Sequence, residues 1–395
     1  HAEKEAMVLQ YVYPSKTFEI QRPTFESHTH IQGYTFNIDP QGCTDIDDTI
    51  TFGDDGYTYI TIADVASWMH ANPHIGSYVY PRGETVYVDG QIASCLLPFQ
   101  EECSLTPNKI RYGVSLKFKN NFEDMSFEKV CLINTESFTY ETIYASKYAS
   151  KLRALASYIA GRDLDDSHEW IEQFMMKYNV EAAHKLVDLK QGILRSQECP
   201  KFDRYVELGA DLQFLNNKAA KYISASTPES HWGLQKDVYC HATSPIRRCA
   251  DILNQMVLCT YPLPDIDIET LNERQSDIKK LDRDLFFLSK CLDTRDVEGI
   301  AVSDHRIWVP DWKRLVTCAH TSNLGTHGRL KYSVDMNQVT WKRRMVFRFE
   351  GKDCPEQQTH AQDVHAHPSY VQRFPHAVKE SLSEPIHPQC LQALE

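Results

Sequence analysis

The sequence of 395 residues has no long apolar run, no closely spaced cysteine pair and no excess of basic charge. No stretch approaches the roughly 20 apolar residues of a membrane helix, so the sequence predicts neither a membrane span nor a membrane partner. The first residues, HAEKEAMVLQ, also lack the basic-then-apolar layout of a secretion signal. Hydrophobic content of 42% and charged content of 24% are typical of a globular protein with full cores.

Twelve cysteines are spread along the chain, and none forms a C-x-x-C pair. This spacing argues against a structural zinc site. We expect reduced, mostly buried thiols in an intracellular protein, cytoplasmic or nuclear, although the number leaves room for one or two disulfides. The formal net charge of −12 argues against a protein that coats nucleic acid, because nonspecific phosphate binding needs a basic surface. An enzyme with a local basic groove remains compatible with that charge.

Four aspartates lie within ten residues in the run NIDPQGCTDIDDTI: Asp39, Asp45, Asp47 and Asp48. Two unit charges about 4 Å apart cost about 4 kcal/mol at an effective dielectric near 20, so a folded cluster must be solvated, partly protonated or bound to cations. Magnesium prefers oxygen ligands and commonly serves phosphate chemistry beside carboxylates. A calcium loop does not fit the spacing, because its sixth position is Ile50 and its twelfth is Gly56. An acidic loop without a metal is the alternative.

The order of patterns along the chain is strands followed by helices, which indicates an α+β fold. Short β patterns extend from about 33 to 134, including a hairpin around GDDG at 53–56. Helical periodicity is present at about 140–160, 168–189, 207–223, 245–259 and 268–295. Residues 300–350 return to β patterns and predict a small barrel. The segment from 352 to 395 is polar and predicts a mostly disordered tail.

A second charged motif is HATSPIRRCADILNQ at 241–255. Ser244 and Pro245 form a helix-start signal that would put Arg247 and Arg248 in the first helical turn. Arginines there oppose the helix dipole and therefore suggest a nearby anion such as a phosphate. The alternative is a pair of surface arginines bound to Asp251 or Asp237.

Together the two motifs resemble those of the RNB family, which includes ribonucleases II and R of bacteria and the catalytic exoribonuclease subunit of the eukaryotic exosome. The resemblance covers about residues 33–295, and the Cys43 form of the acidic run is closer to the eukaryotic branch. Supporting segments, in family order, are TIADVASWM, RGETVYVDGQIASCLLP, CSLTPNKIRYGVSLKF, INTESFTYE and WIEQFMMKYNVEAA.

The resemblance implies a site and an activity. It makes Asp39, Asp45, Asp47 and Asp48 the ligands of one or two Mg²⁺ ions, or of Mn²⁺. It also places the catalytic arginine at Arg247 and a base-stacking aromatic at Tyr87. The implied reaction is hydrolytic 3′-to-5′ degradation of single-stranded RNA to 5′-nucleoside monophosphates. From charge alone, Arg82, Arg111 and Arg248 are added as candidate RNA contacts, as are the basic residues of WKRRMVFRF at 341–349.

The resemblance also implies a domain plan: an N-terminal extension (1–28), an RNB catalytic domain with a mixed β-sheet, flanking helices and an RNA channel (29–299), an OB-like RNA-binding barrel (300–351) and the tail (352–395). The family's two barrels before the catalytic domain have no counterpart in this sequence. The chain is also short between Ala160 and His168, so no residue is assigned as a second stacking aromatic. Two alternative functions remain: a weakly active or inactive RNA-binding scaffold, and a metal-dependent phosphodiesterase with a non-RNA substrate. RNA-processing proteins are candidate partners.

Overall fold

The computed structural model describes residues 1–291 and 296–352. The predicted tail therefore lies outside the described residues, as do the last residues predicted for the helix at 268–295. The helices are α1 (Ala2–Leu9), α2 (Ala66–Ala71), α3 (Gly76–Val79), α4 (Gln100–Cys103), α5 (Ala149–Ala160), α6 (Ser167–Leu189), α7 (Cys249–Leu258), α8 (Ile268–Lys290) and α9 (Trp341–Arg344). Within the described ranges, no helix is both long and apolar enough to span a membrane.

The strands form two larger sheets and two hairpins. They are β1 (Thr29–His30), β2 (Gly33–Ile38), β3 (Asp48–Gly53), β4 (Thr58–Ala63), β5 (Val86–Val88), β6 (Gln91–Ser94), β7 (Ile110–Lys119), β8 (Glu123–Ile133), β9 (Glu136–Phe138), β10 (Ile193–Ser196), β11 (Lys221–Ser224), β12 (Val297–Ser303), β13 (Arg306–Val309), β14 (Arg314–Thr317), β15 (His327–Val334) and β16 (Met345–Gly351). The hairpins are β5–β6 and β10–β11.

The main sheet has seven strands in the order β1-β8-β7-β4-β3-β2-β9. Its interior strands pair antiparallel, whereas the edge strands β1 and β9 pair parallel to β8 and β2. Strand β4 shows why the sheet forms here: all six residues of TYITIA are buried, and β-branched and aromatic side chains suit a covered sheet. The helices α2, α5, α6 and α7 contribute buried side chains to the core around this sheet. The predicted mixed α+β fold is confirmed.

A second sheet at the C-terminal end has five antiparallel strands in the order β14-β13-β12-β15-β16. Its core also contains Met7 of α1, Val86 of β5, and Ile278 and Leu281 of α8. The strand-rich segment was predicted, and the sheet curls enough for Cys318, just after β14, to contact the carbonyl of Phe347 in β16 at 3.3 Å. Closure into an OB-like barrel and the domain boundaries stay predictions.

One predicted helix is wrong. The segment 207–223 contains the short 3-10 helices Val206–Leu208 and Ala210–Asn216, followed by strand β11, which pairs with β10. Gly209, with φ 78°, interrupts the helical path. Pairing with β10 then overrides the helical periodicity of the last residues.

Candidate active site

The acidic loop, residues 39–48, leaves the sheet at the end of β2 and returns as β3. Asp39 continues the pairing of β2 with β9, because its backbone N–H donates to the carbonyl of Phe138 at 3.0 Å. The chain then turns through Pro40 to Cys43, closed by a hydrogen bond from the N–H of Cys43 to the carbonyl of Pro40 at 3.1 Å. Gly42 occupies the third position of the turn with φ 83°, as a type II turn requires. The turn folds Asp39 back toward the later aspartates.

Ser104 holds the middle of the acidic loop. Its hydroxyl donates to the carbonyl of Thr44 at 2.7 Å and accepts from the N–H of Ile46 at 2.8 Å. Beyond this anchor, the carbonyl of Asp47 accepts from the N–H of Ala63 in β4 at 2.7 Å. These hydrogen bonds to Ser104 and to β4 fix the backbone position of Asp47.

A small pocket opens beside the loop and joins most of the residues that the two motifs predicted. Three of the four aspartates line it together with the motif arginine and two tyrosines: Asp39, Pro40, Cys43, Asp45, Asp47, Tyr87, Tyr140 and Arg247. The fourth aspartate, Asp48, is the first residue of β3 and is buried. Its charge acts on Asp47 and on Tyr140. The two sequence motifs therefore meet at one place in the fold.

Burial raises the pKa values of two of the four carboxylates, those of Asp39 and Asp47. Desolvation in the pocket, with a further contribution from Asp45, raises the pKa of Asp39 to about 6, although a hydrogen bond from Asn37 opposes the shift. Burial raises the pKa of Asp47 well above its ordinary value, and the charges of Asp45 and Asp48 act in the same direction. The Arg247 guanidinium opposes them. Such a cluster gains free energy by taking up positive charge.

The arginine motif does not begin its helix where the sequence predicted. Residues 245–247 form a turn, and α7 begins only at Cys249. Arg248 has an extended backbone (φ −136°, ψ 132°) and pairs with Glu84 in an isolated β-bridge. The predicted position of the two arginines inside the first helical turn is therefore wrong. They lie on the connection that leads into the helix, and Asp251 occupies the first turn instead.

Arg247 is held by the pocket wall. Only 7% of its surface is exposed, and its Nη2 donates to the hydroxyl of Ser244 at 3.0 Å. Its carbonyl accepts from the N–H of Thr85 at 2.9 Å, which ties it to the segment leading into β5. The guanidinium thus reaches the acidic pocket from a fixed backbone.

Two arginines predicted as RNA contacts are engaged inside the protein. Arg248 is 3% exposed and forms an ion pair with Asp251, with Nε and Oδ2 3.0 Å apart and Nη2 donating to Oδ1 at 3.2 Å. Arg82 is also 3% exposed; it donates to Ser94 at 2.9 Å and to the carbonyls of Tyr13 and Pro14. Both guanidiniums are buried and contact internal partners, so we leave both residues out of the proposed RNA-contacting set. The alternative pairing of Arg248 with Asp251 is present, but it is buried rather than on the surface.

Arg111 lies elsewhere, in a separate cleft with Thr44, Glu101, Glu102, Thr106 and Lys109. Its Nη1 donates to the carbonyl of Glu102 at 2.7 Å. The two glutamates offset the positive charges of Arg111 and Lys109. The structure therefore separates Arg111 from the acidic pocket, and its contact with RNA stays a prediction.

Two tyrosines face the pocket, of which the sequence predicted only one. Tyr87 lies in the β5–β6 hairpin. Tyr140 follows β9, and its ring stacks on His168 with centroids 3.9 Å apart and planes 11° from parallel. Burial, with Asp39 and Asp48 nearby, raises the pKa of the Tyr140 hydroxyl far above its ordinary value, so it stays protonated and able to donate a hydrogen bond.

Asn37 is another contributor that the sequence did not reveal. Its side-chain oxygen accepts from Asn134 and from Ser137 at 2.8 and 2.7 Å. These contacts orient its amide so that the nitrogen donates to Asp39 at 2.8 Å. The alternation along β2 could have placed Asn37 near Asp39, because residues two apart point to the same side of a strand.

The donor set of the pocket matches magnesium in its chemistry. Carboxylate oxygens are the ligands that Mg²⁺ prefers, and crowded acids with raised pKa values favour a bound cation. Among residues 1–291 and 296–352, however, no three His, Cys, Asp or Glu side chains are grouped closely enough to hold a metal ion as they stand. The aspartates thus share one pocket at a wider spacing than a closed metal site has.

Comparison with known proteins finds a matching domain family. The family model described as "RNB domain" matches residues 30–154 and 212–262, which include the acidic loop and the arginine motif. The chain is 25% identical to the probable exosome complex exonuclease RRP44 of Caenorhabditis elegans, over 60% of this chain and 35% of the relative. The match confirms the resemblance to the RNB family, and the chain spans about a third of the length of that relative.

Solved structures support the same fold. RNase R of Mycoplasma genitalium, in complex with ribose-methylated single-stranded RNA, superposes with a TM-score of 0.70 at 15% identity, covering 88% of this chain and 78% of that chain. Yeast Ssd1, described as a pseudonuclease, superposes with a TM-score of 0.61 at 13% identity, covering 83% and 57%. Both likenesses establish the fold alone, and the two proteins differ in whether they are nucleases.

Proposed function

We propose that the protein is a magnesium-dependent hydrolytic exoribonuclease that shortens single-stranded RNA from its 3′ end and releases 5′-nucleoside monophosphates. One observation carries the proposal: a single pocket is lined by Asp39, Asp45, Asp47, Arg247 and two tyrosines. This set combines groups suited to a phosphate, a metal ion and a base. The exonuclease names of the relatives support the same reaction class.

Hydrolysis of a phosphodiester needs a hydroxide nucleophile, a fixed phosphate and compensation of the negative charge on its oxygens. Hydroxide from water forms a new P–O bond, the P–O3′ bond breaks, and the leaving oxygen takes a proton. Asp39 lines the pocket and is suited to orient the attacking water. Arg247 is suited to bind the non-bridging oxygens, because a guanidinium pairs with two oxygens at once.

The residues proposed to hold Mg²⁺ are Asp39, Asp45, Asp47 and Asp48. A bound magnesium ion would supply activation of water and compensation of phosphate charge. The raised pKa values of Asp39 and Asp47 support cation uptake by this group. Mn²⁺, which also prefers oxygen ligands, is the expected substitute.

The tyrosines give the pocket a way to hold any base. Stacking of a base on an aromatic ring is worth roughly 1–3 kcal/mol and does not depend on sequence. Tyr87 has this role in the proposal, and Tyr140 is a second aromatic wall with a protonated hydroxyl. In this proposal the terminal base of the substrate strand stacks on Tyr87, and its last phosphodiester faces the acids and Arg247.

An RNA-binding scaffold with weak or no catalysis is the second candidate function. The resemblance to Ssd1 favours it, as does the wide spacing of the aspartates. Against it, the four aspartates and Arg247 are all present in this sequence. The scaffold and the enzyme share the RNA strand as partner and differ in whether the strand is cut.

Further proposals concern the rest of the chain. Residues 29–299 are proposed as the catalytic domain and residues 300–351 as an RNA-binding module, whose α9 and β16 carry the basic and aromatic residues of WKRRMVFRF. RNA-processing proteins are the proposed partners. An intracellular location is proposed because the ten cysteines of the described ranges are all free.

Incubation of the full chain with a single-stranded RNA and Mg²⁺ tests the proposal. We expect 5′-nucleoside monophosphates as the products, identified by chromatography against standards. A DNA strand of the same sequence is the matched substrate, because 2′-hydroxyl contacts distinguish RNA from DNA. Binding of RNA without release of nucleotides would support the scaffold, and equal cleavage of both strands would support a phosphodiesterase of wider substrate range.

A further inference from the structure

Ser244 makes four of the hydrogen bonds that fix the connection leading into α7. Its hydroxyl accepts from Arg247 Nη2 at 3.0 Å. Its backbone N–H donates to Asp251 Oδ1 at 2.8 Å, and its carbonyl accepts from the N–H groups of Arg247 and Arg248 at 3.2 and 3.0 Å. Ser244 is fully buried, so no contact of its hydroxyl with substrate is available.

We infer that Ser244 is the positioning residue for Arg247, and that Asp251 holds Ser244 in place for this task. The inference rests on the proposed function, in which Arg247 binds the scissile phosphate. An arginine side chain loses rotamer freedom when it is fixed, so an arginine held in advance stabilises the charge that develops on the phosphate in the transition state at a smaller cost. The Ser244 hydroxyl occupies one N–H of Nη2 and leaves the other donors of the guanidinium for the pocket.

Asp251 lies in α7, but its carboxylate binds residues of the connection before the helix. Its Oδ1 accepts from Ser244 and from Arg248, and its Oδ2 pairs with Arg248 Nε. The residue at the N-cap position of α7, Arg248, makes no side-chain capping hydrogen bond. The buried charge of Asp251 is thus directed backward, at the two residues that flank Pro245–Arg247. If the carboxylate of Asp251 bound only the N–H groups of its own helix, the N–H of Ser244 would lose this acceptor.

Backbone pairing fixes the same connection from the other side. The carbonyl of Arg247 accepts from Thr85, and the N–H of Cys249 donates to the carbonyl of Gly83 at 2.8 Å. The backbone of Arg247 is therefore set by the strand-like segment 83–85, while its guanidinium is set by Ser244. Removing the hydroxyl of Ser244 should release the head group without moving the backbone.

Four variants test the inference: Ser244→Ala, Ser244→Thr, Arg247→Ala and the double variant Ser244→Ala/Arg247→Ala. The control is Ser115→Ala, which removes another buried serine hydroxyl, one that contacts Thr61 on the main sheet. Steady-state release of nucleotides from single-stranded RNA gives kcat and KM, and thermal unfolding reports the fold. Asp251 is not substituted, because a buried Arg248 without its partner would strongly destabilise the fold.

Ser244→Ala is expected to lower kcat about tenfold with KM changed less than about twofold, since a lost hydrogen bond to a charged group is worth about 1.4 kcal/mol or more. Ser244→Thr, which keeps the hydroxyl, should restore most of the rate. In the Arg247→Ala background, Ser244→Ala should have no further effect, because coupled residues are not additive. Ser115→Ala should leave kcat unchanged.

A tenfold loss that repeats in the Arg247→Ala background would overturn the inference. So would a Ser244→Ala variant that melts earlier but turns over normally, since that is the result for a purely structural serine. If the wild-type chain releases no nucleotide, the proposed function fails instead. The affinities of the wild type, the two single alanine variants and the double variant for a fluorescent single-stranded RNA are then compared. Non-additive effects of the two substitutions support the positioning role, and additive effects contradict it.

Discussion

Asp47 Oδ1 accepts a hydrogen bond from the backbone N–H of Ile246 at 3.2 Å, across 199 positions of sequence. This contact joins the acidic loop directly to the connection that carries Arg247. The same carboxylate feels the charge of Arg247, which lowers its pKa against the effect of burial. The acids and the arginine are therefore one unit, and a change in either should alter the other.

Asp47→Asn is expected to lower nucleotide release by at least about a hundredfold, because a charged group that acts on the transition state is lost. The amide oxygen can still accept from Ile246, so the connection should stay in place and RNA affinity should be kept. Asp54→Asn, on the exposed turn between β3 and β4, is the matched control. Turnover near the wild-type rate in Asp47→Asn would remove Asp47 from the proposed metal site.

Arg247→Lys is expected to lower kcat by about tenfold or more, although the charge is kept. An ammonium cannot bind two phosphate oxygens in the geometry of a guanidinium, and lysine is too short to replace the contact of Arg247 with Ser244. Arg162→Lys, at a surface arginine paired with Glu169, is the control and should behave as wild type. Equal rates for the two variants would show that only charge is needed at position 247.

The raised pKa of Asp39 predicts a pH dependence of stability without metal. The pKa is about 6 in the folded protein against an ordinary 3.8, so the folded chain holds the proton more tightly than the unfolded chain. The stabilising contribution is complete below about pH 4 and is lost as the pH rises through about 6. Compared with Asp39→Asn, the wild type should therefore lose stability over this range in chelator-treated urea unfolding.

Added Mg²⁺ should reverse that loss at neutral pH, since a ligand that binds the folded state stabilises it. The gain should be larger at about pH 7 than at about pH 5, where protons compete with the ion for Asp39. If the wild type instead gained stability relative to Asp39→Asn as the pH rises in chelator, the assignment of a crowded, protonatable carboxyl to this position would be contradicted.

Tyr87→Ala is expected to weaken binding of single-stranded RNA roughly tenfold, within the range of one lost base stack. Fluorescence anisotropy with an RNA that is resistant to cleavage measures the affinity. Tyr158→Ala removes a tyrosine that is 58% exposed on α5 and serves as the control. Unchanged affinity in Tyr87→Ala would show that its ring contacts no base.

The sequence predicted the β3–β4 hairpin, strands β5, β7 and β8, and helices α6 and α8 because local patterns and packing agree in these elements. It failed at 207–223, where Gly209 breaks the helix and strand β10 captures the last residues. It also failed to predict α1, whose Met7 packs in the C-terminal core far along the chain. Such contacts depend on tertiary packing, which a local pattern does not contain.

For the site, the sequence identified the two charged motifs and Tyr87. It did not predict the directions in which the side chains point. Arg82 and Arg248 have the composition of RNA contacts and are instead bound to internal partners. Tyr140 gave no charge or spacing signal, and only the parallel pairing of β9 with β2 places it beside Asp39. Residue types therefore predicted the chemistry, whereas the direction of each guanidinium and ring required the fold.

The most direct measurement uses a single-stranded RNA labelled at its 5′ end, incubated with the full chain in Mg²⁺ or in chelator. We expect a ladder of labelled strands that shorten one nucleotide at a time from the 3′ end in Mg²⁺, and an intact strand in chelator. Immediate release of a labelled mononucleotide, internal cuts, or the same ladder in chelator would contradict it.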